Sequence, residues 1–398
     1  MESKKRYRIG IDARFYGPLG KGLGRYTQET VDNVLAFDRE NEYVIFLSKD
    51  NFDELVTDHP RVKKVLADVR WYTLAEQVRM PWLIAKEKLD LMHYPHFNVP
   101  LFSPVRFIVT IHDLILTKFP TMRATTLGPV LYLLKNLFYR IIIRHAIKGA
   151  EKVIAVTEYT KKDIMEQFGT RADHLEMIYE GVATLSGKAD RHFSSTLKAE
   201  EILSDYCILE PYLLYVGNAY PHKNLETLIR VFKRFHENRR DLKLVLVGKD
   251  DYFYSRLKEY AEQEGLWSRD PRRAASLPVI FPGYVPDKEL NVLFSRAAAY
   301  VFPSKYEGFG LPPLEAMSRN CPVVSSNATC LPEVLGEAAL YFDPYDDEDI
   351  LEKLELILTD EALRKALCAK GFEQIKLFSW EKAGEAVTRL YSRILSNA

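Results

Sequence analysis

Apolar residues cluster into short runs separated by stretches of helical spacing, and the alternation persists along most of the chain. In the first half the runs stand at 8–12 (RIGID), 43–47 (YVIFL), 90–94 (DLMHY), 107–111 (FIVTI) and 152–156 (KVIAV). Helical patterns fill 24–37, 74–88 and 127–149 between them. The second half repeats the rhythm, with strands expected at 212–217, 242–248, 278–284, 299–304 and 322–326 and helices at 224–237, 287–297, 313–320 and 346–374. Short continuous apolar strands suit a parallel sheet covered by helices on both faces. The expected fold class is therefore α/β, with two Rossmann-like doubly wound domains. Residues 184–205 are polar and lack strand character, so the linker is expected there. The expected domains are 1–190 and 206–377, with a final helix over 378–398.

Length agrees with two domains, since 398 residues exceed one domain of roughly 100–200. Lys+Arg and Asp+Glu balance at 55 each, so no global field of one sign recruits nucleic acid. Cys207, Cys321, Cys330 and Cys368 show no C-x-x-C spacing and read as free thiols rather than a metal site or disulfide frame. The start, MESKKRYRIGID, carries no apolar h-region, and no apolar run reaches the roughly 18 residues of a membrane span. A cytoplasmic location is expected. The helix pattern 127–149 is mostly apolar, with a basic edge at Lys135, Arg140, Arg144 and Lys148. A core helix with a basic edge is the favoured reading. Peripheral contact with anionic headgroups at the inner membrane face is the alternative.

Ligands of doubly wound sheets bind beyond the carboxyl ends of the strands, so the chemistry is sought in those loops. The segment 304–326 reads SKYEGFGLPPLEAMSRNCPVVSS. Gly308 and Gly310 let the backbone approach a ligand, and Pro312 and Pro313 pre-set the first turn of a helix. A helix start of this kind suits an anion. The loop after 212–217 holds Gly217, Asn218, His222 and Lys223, and a lysine there suits a phosphate oxygen. His112 ends the strand 107–111, and Asp113 behind it could set its tautomer. Gly20, Gly22 and Gly24 follow the first strand but do not fit G-x-G-x-x-G, which argues against a nicotinamide cofactor.

The string EGFGLPPLEAM, with Glu307 and Glu315 eight positions apart, resembles the E-x7-E signature of family 4 glycosyltransferases. The resemblance extends through IGIDAR, GLGRY, TIHDL, AVTEYTKKDI, YVGNAYPHKNLETLI, FPGYVPDKEL, LPEVLGEAALYFDP and FSWEKAGE, in the family's order. It implies the GT-B architecture, with an acceptor-binding N-terminal domain (1–190) and a nucleotide-sugar-binding C-terminal domain (206–377) facing a central cleft, retention of anomeric configuration, no metal, and a last helix returning to the N-terminal domain. It implies catalytic parts for Glu307 on the donor hexose, Lys223 on the diphosphate and His112 on the sugar or the developing charge. Glu315 would hold the ribose, and the backbone of Gly308, Phe309, Gly310 and Leu311 would meet sugar and diphosphate. Gly22, Gly24, Gly217, Asn218 and His222 would border the donor, and Tyr284 and Val285 the nucleobase. Asn218 and His222 stand where relatives often carry arginine, so a second diphosphate cation must be a protonated His222 or an arginine from elsewhere. Partners implied are a nucleotide-sugar donor and a saccharide or lipid-linked saccharide acceptor. GDP-mannose is the favoured donor, from similarity to bacterial mannosyltransferases of surface polysaccharide assembly, with UDP-sugars as the alternative. An epimerase on the same fold or a non-catalytic sugar-nucleotide-binding subunit are the rival readings.

Overall fold

The computed structural model describes residues 5–18, 21–119, 129–182, 196–274 and 276–396. The chain divides into two compact units, one of residues 1–181 with 378–398, the other of residues 182–377.

The first unit holds seven strands, β1 (Arg8–Asp12), β2 (Glu42–Leu47), β3 (Val62–Leu66), β4 (Leu91–Tyr94), β5 (Phe107–Ile111), β6 (Lys152–Ala155) and β7 (Leu175–Met177). They pair in parallel in the order β3-β2-β1-β4-β5-β6-β7. Alternate side chains of one strand enter opposite cores. Tyr43, Ile45 and Leu47 join Ile9, Ile11 and Trp380 on one face, while Val44 and Phe46 join Met92, Val109 and Ile147 on the other. Burial of both faces is why these strands read as continuous apolar runs. The C-terminal helix Trp380–Ser396 packs on the helix Lys21–Phe37, burying Trp380, Val387, Leu390, Tyr391 and Leu395 in the first of these cores.

The second unit holds β8 (Tyr212–Val216), β9 (Lys243–Val247), β10 (Val279–Gly283), β11 (Ala299–Phe302), β12 (Val323–Ser326) and β13 (Ala339–Phe342), in the parallel order β10-β9-β8-β11-β12-β13. Strand order reverses between β1 and β4 in the first sheet and between β8 and β11 in the second. Those two reversals are where a doubly wound sheet opens a ligand crevice.

Several boundaries differ from expectation. The division falls after residue 181, and part of the expected linker is the helix Thr196–Asp205, which buries Ala199 and Leu203. Residues 184–195 of that linker lie outside the described residues. β3, β7 and β13 were not expected. Among its described side chains, the helix Pro129–Gly149 buries Ile143, Ala146 and Ile147 and packs Tyr139 against the core, whereas Leu133, Leu134, Leu137, Phe138 and Ile141 are exposed. That departs from the expected core helix. Among the described residues no helix is long and apolar enough to cross a membrane.

Candidate functional site

In the second unit both loops at the sheet reversal are tied together. Lys305 N–H donates to the His222 carbonyl at 2.8 Å, and Lys223 Nζ donates to Glu307 Oε1 at 2.6 Å. Both side chains are largely buried. Sequence reasoning expected Lys223 on phosphate and Glu307 on sugar and did not foresee that they meet. A lysine ammonium carries three donors, so it can hold Glu307 and still offer a proton to a phosphate oxygen.

The loop carrying Glu307 is fixed from below. Glu307 N–H donates to Thr329 Oγ1 at 3.1 Å, and the carbonyls of Glu307 and Phe309 both lie 3.4 Å from Cys330 Sγ, within reach of its single S–H. Phe309 and Gly308 are buried with it. Gly310 has φ +92°, and a Cβ there would lie 2.9 Å from Leu331 Cδ2. Glycine is thus required on two grounds, backbone and space. The helix Leu311–Ser318 starts immediately after it. Pro312 and Pro313 have no N–H, so an anion here is met by Leu311, Leu314 and the glycine loop rather than by a full helical turn. Glu315, half-buried, is the fifth residue of that helix.

The other loop begins at Gly217, whose N–H donates to Val247 O at 3.0 Å and whose carbonyl accepts from Tyr254 Oη at 2.9 Å. Asn218 turns inward, its Oδ1 accepting from Tyr220 N at 3.3 Å. Burial first, then Lys223 beside it, push the His222 imidazole down to about 4, so with no anion bound His222 is neutral. Val285 is buried and Tyr284 exposed, just beyond β10.

His112 lies in the first unit, directly after β5. Its Nδ1 is 2.8 Å from Glu180 Oε1 and its Nε2 2.9 Å from the Pro95 carbonyl. Both partners are acceptors, so both nitrogens carry protons and the ring is an imidazolium. Burial opposes that charge; the hydrogen bond and charge of Glu180 outweigh it, and the pKa is raised. Asp113 does not set the tautomer; its Oδ1 accepts from Ile115 N at 2.9 Å. Glu180 is a buried carboxylate that sequence reasoning missed. Its only signal was an apolar run, LEMIY, with a glutamate and a glycine behind it, and that run is where the unexpected strand β7 ends.

Gly22 and Gly24 fall inside the helix Lys21–Phe37. A Cβ on Gly24 would lie 2.1 Å from the Gly17 carbonyl, so this glycine serves close packing, while a Cβ on Gly22 meets nothing within 4 Å among the described residues. Gly20 lies outside the described residues.

Two family models cover the two halves of the chain. Glycosyltransferase Family 4 matches residues 20–184, and Glycosyl transferases group 1 matches residues 209–374. The chain belongs to the family 4 glycosyltransferases. O-antigen chain mannosyltransferase B of Escherichia coli is 29% identical to this glycosyltransferase over 386 residues, 93% of this chain and 95% of that one. Sucrose-phosphate synthase from Thermosynechococcus elongatus shares its fold, with TM-score 0.74, 21% identity, and coverage of 99% of this chain and 100% of that one. The Anabaena protein HepE, in complex with UDP and glucose, aligns with TM-score 0.69 and 16% identity over 98% of this chain and 100% of that one. The two parallel, helix-flanked sheets of this nucleotide-sugar glycosyltransferase are of the GT-B class.

Proposed function

We propose that this enzyme transfers a hexosyl group, with mannosyl favoured, from a nucleotide diphosphate sugar to a hydroxyl of a saccharide or lipid-linked saccharide, with retention of configuration. The observation that carries this reading is the Lys223–Glu307 pair at the reversal of the second sheet, beside the glycine loop and the start of the helix Leu311–Ser318. As the bond from the anomeric carbon to the diphosphate lengthens, negative charge collects on the leaving oxygen. Lys223 and the backbone N–H groups of the loop are already in place to receive it, and preorganised donors stabilise developing charge without a metal. Glu307 accepts from sugar hydroxyls and Glu315 from ribose hydroxyls, since carboxylates only accept. Two first-unit assignments change. With both ring nitrogens of His112 engaged, it contributes positive charge rather than an accepting nitrogen. Gly24 is assigned to packing.

GDP-mannose is the proposed donor, supported by the mannosyltransferase named among the relatives. The UDP and glucose bound by HepE keep UDP-sugars as the alternative. Thermal shifts with GDP, UDP and dTDP test this, because a ligand of the folded state raises stability. A rise with GDP alone is expected; no rise with any nucleotide would refute the reading. Glu307→Ala should lower transfer by at least about 100-fold.

The proposal includes a cytoplasmic enzyme resting on the inner membrane face. Its support is the exposed apolar stretch Leu133, Leu134, Leu137, Phe138 and Ile141 beside the exposed Lys135, Arg140, Arg144 and Lys148. Apolar residues flanked by cations suit an anionic interface. The protein should co-sediment with phosphatidylglycerol vesicles, and Leu137→Glu with Phe138→Glu should abolish this. Sedimentation unaffected by those substitutions would exclude the helix as the contact.

A further inference from the structure

The first unit carries a second constellation at its own sheet reversal, built, apart from His112, from residues that the donor chemistry does not use. Phe15 follows β1, Trp71 and Tyr72 follow β3, His96 and Phe97 follow β4, and His112 follows β5. Because all four strands are parallel, these residues gather at one edge of the sheet. Their rings form a continuous chain. Phe15 stacks on Trp71 at 4.3 Å and 7°, Phe15 meets His96 at 5.6 Å, and Tyr72 meets His96 at 6.2 Å and Phe97 at 5.9 Å. His96 lies 4.1 Å from Phe97 and 6.2 Å from His112.

Tyr72 is the exposed member, at 54%, and it is held in an unfavourable backbone state. Its φ is +60°, a left-handed value that bulky residues rarely adopt. Its N–H donates to Glu76 Oε2 at 2.8 Å. Glu76 is fully buried and is itself fixed by Arg14 at 2.6 Å and Asn98 Nδ2 at 2.9 Å. Arg14, also buried, is clamped by Asp12 and donates to the Val69 carbonyl at 3.0 Å. A buried charge network therefore holds a strained backbone so that a half-exposed aromatic ring lies against His96 and Phe97. Strain over-determined in this way is characteristic of ligand sites.

We propose that Tyr72, supported by Trp71 and His96, is the platform that receives a pyranose ring of the acceptor saccharide, resting on the glycosyltransferase reading above. A flat, polarisable ring suits the C–H face of a sugar. His96 Nδ1 donates to the Asn98 Oδ1 acceptor at 3.0 Å, which leaves Tyr72 Oη, 3.4 Å from that nitrogen, to meet a sugar hydroxyl. Burial pushes the His96 imidazole down to about 3, so it is neutral. Arg14 and His112 are both committed to carboxylates. The platform therefore selects by shape and hydroxyl pattern rather than by ligand charge.

The test is calorimetric titration of the full-length protein with mannotriose, without donor. Tyr72→Gly removes the ring and relieves the left-handed strain, so it should fold at least as stably as the wild type. It should bind mannotriose about tenfold more weakly or worse. Tyr72→Phe keeps the ring and loses only the Oη partner, so it should bind more tightly than Tyr72→Gly and within about fivefold of the wild type. Wild-type affinity in Tyr72→Gly, or no binding of mannotriose by the wild type, would overturn the proposal. The GDP and UDP thermal shifts of the same proteins report the donor reading separately, and they should be equal in all three. Their absence would remove the donor assignment while leaving the platform to be judged by the saccharide titration.

Discussion

His112 shows how two neighbours can decide a residue's charge. The Glu180 carboxylate and the Pro95 carbonyl both accept from it, and its pKa is raised despite burial. A group whose folded pKa lies above its unfolded value, about 6.5 for histidine, contributes stability fully below that pH and loses it as pH rises through the folded pKa. Glu180→Gln should lower the His112 pKa, read from its ring proton resonances. The wild type's stability advantage over this variant, measured by denaturant unfolding, should be large at pH 5.5 and smaller at pH 8.5. An advantage independent of pH would refute the imidazolium assignment. His222 has the opposite sign. Its folded pKa is about 4, so its neutral state adds stability above the unfolded value that is lost as pH falls from about 6.5 toward the folded pKa.

Elements differ in how openly they announce themselves. The strands found by their apolar runs are mostly interior to the two sheets, whereas the three that were not expected, β3, β7 and β13, are all at sheet edges. Edge strands tend to be short or charged, as Lys63 and Lys64 are in β3, which breaks the continuous apolar signature. The single helix expected over 346–374 is two, because Asp360 ends Asp347–Thr359 and caps Glu361–Gln374, accepting from Leu363 N at 2.8 Å. Within the helix Lys21–Phe37 the two glycines separate by packing alone. Gly22→Ala meets open space and should leave stability unchanged or raise it by up to about 1 kcal/mol. Gly24→Ala should destabilise by about 2 kcal/mol or more, because its Cβ meets backbone that cannot yield. Chemical denaturation of both variants checks this. A loss of transfer in Gly22→Ala without a loss of stability would restore that glycine to the donor site.

At the scale of the molecule, the chain leaves its first unit at residue 181 and comes back to it at residue 378. Gly181 marks the junction: a Cβ there would lie 2.3 Å from Trp380 N. Trp380, Val387, Leu390, Tyr391 and Leu395 complete the first core, and Tyr391 Oη meets the buried His93 Nδ1 at 2.7 Å. Deleting residues 378–398 strips five large side chains from that core. At roughly 1.5–3 kcal/mol for each, this should cost more than about 5 kcal/mol of first-unit stability. Calorimetry should show the first unit melting far earlier, and an unchanged melting profile would contradict the packing described.

The sequence by itself determined the α/β class, two units, all the interior strands and the glutamate-glycine loop of the proposed donor site. These are local or periodic features: strand burial writes apolar runs, and a loop that must approach a ligand writes glycine and proline. The tertiary structure alone decided which charges meet. Lys223 and Glu307 are 84 residues apart, His112 and Glu180 are 68, and Arg14 and Glu76 are 62. No periodicity records a pairing between loops at that separation. Only folding brings the loops of parallel strands to one sheet edge, and that convergence made His112 a cation, left His222 neutral and held Tyr72 in its strained, exposed position.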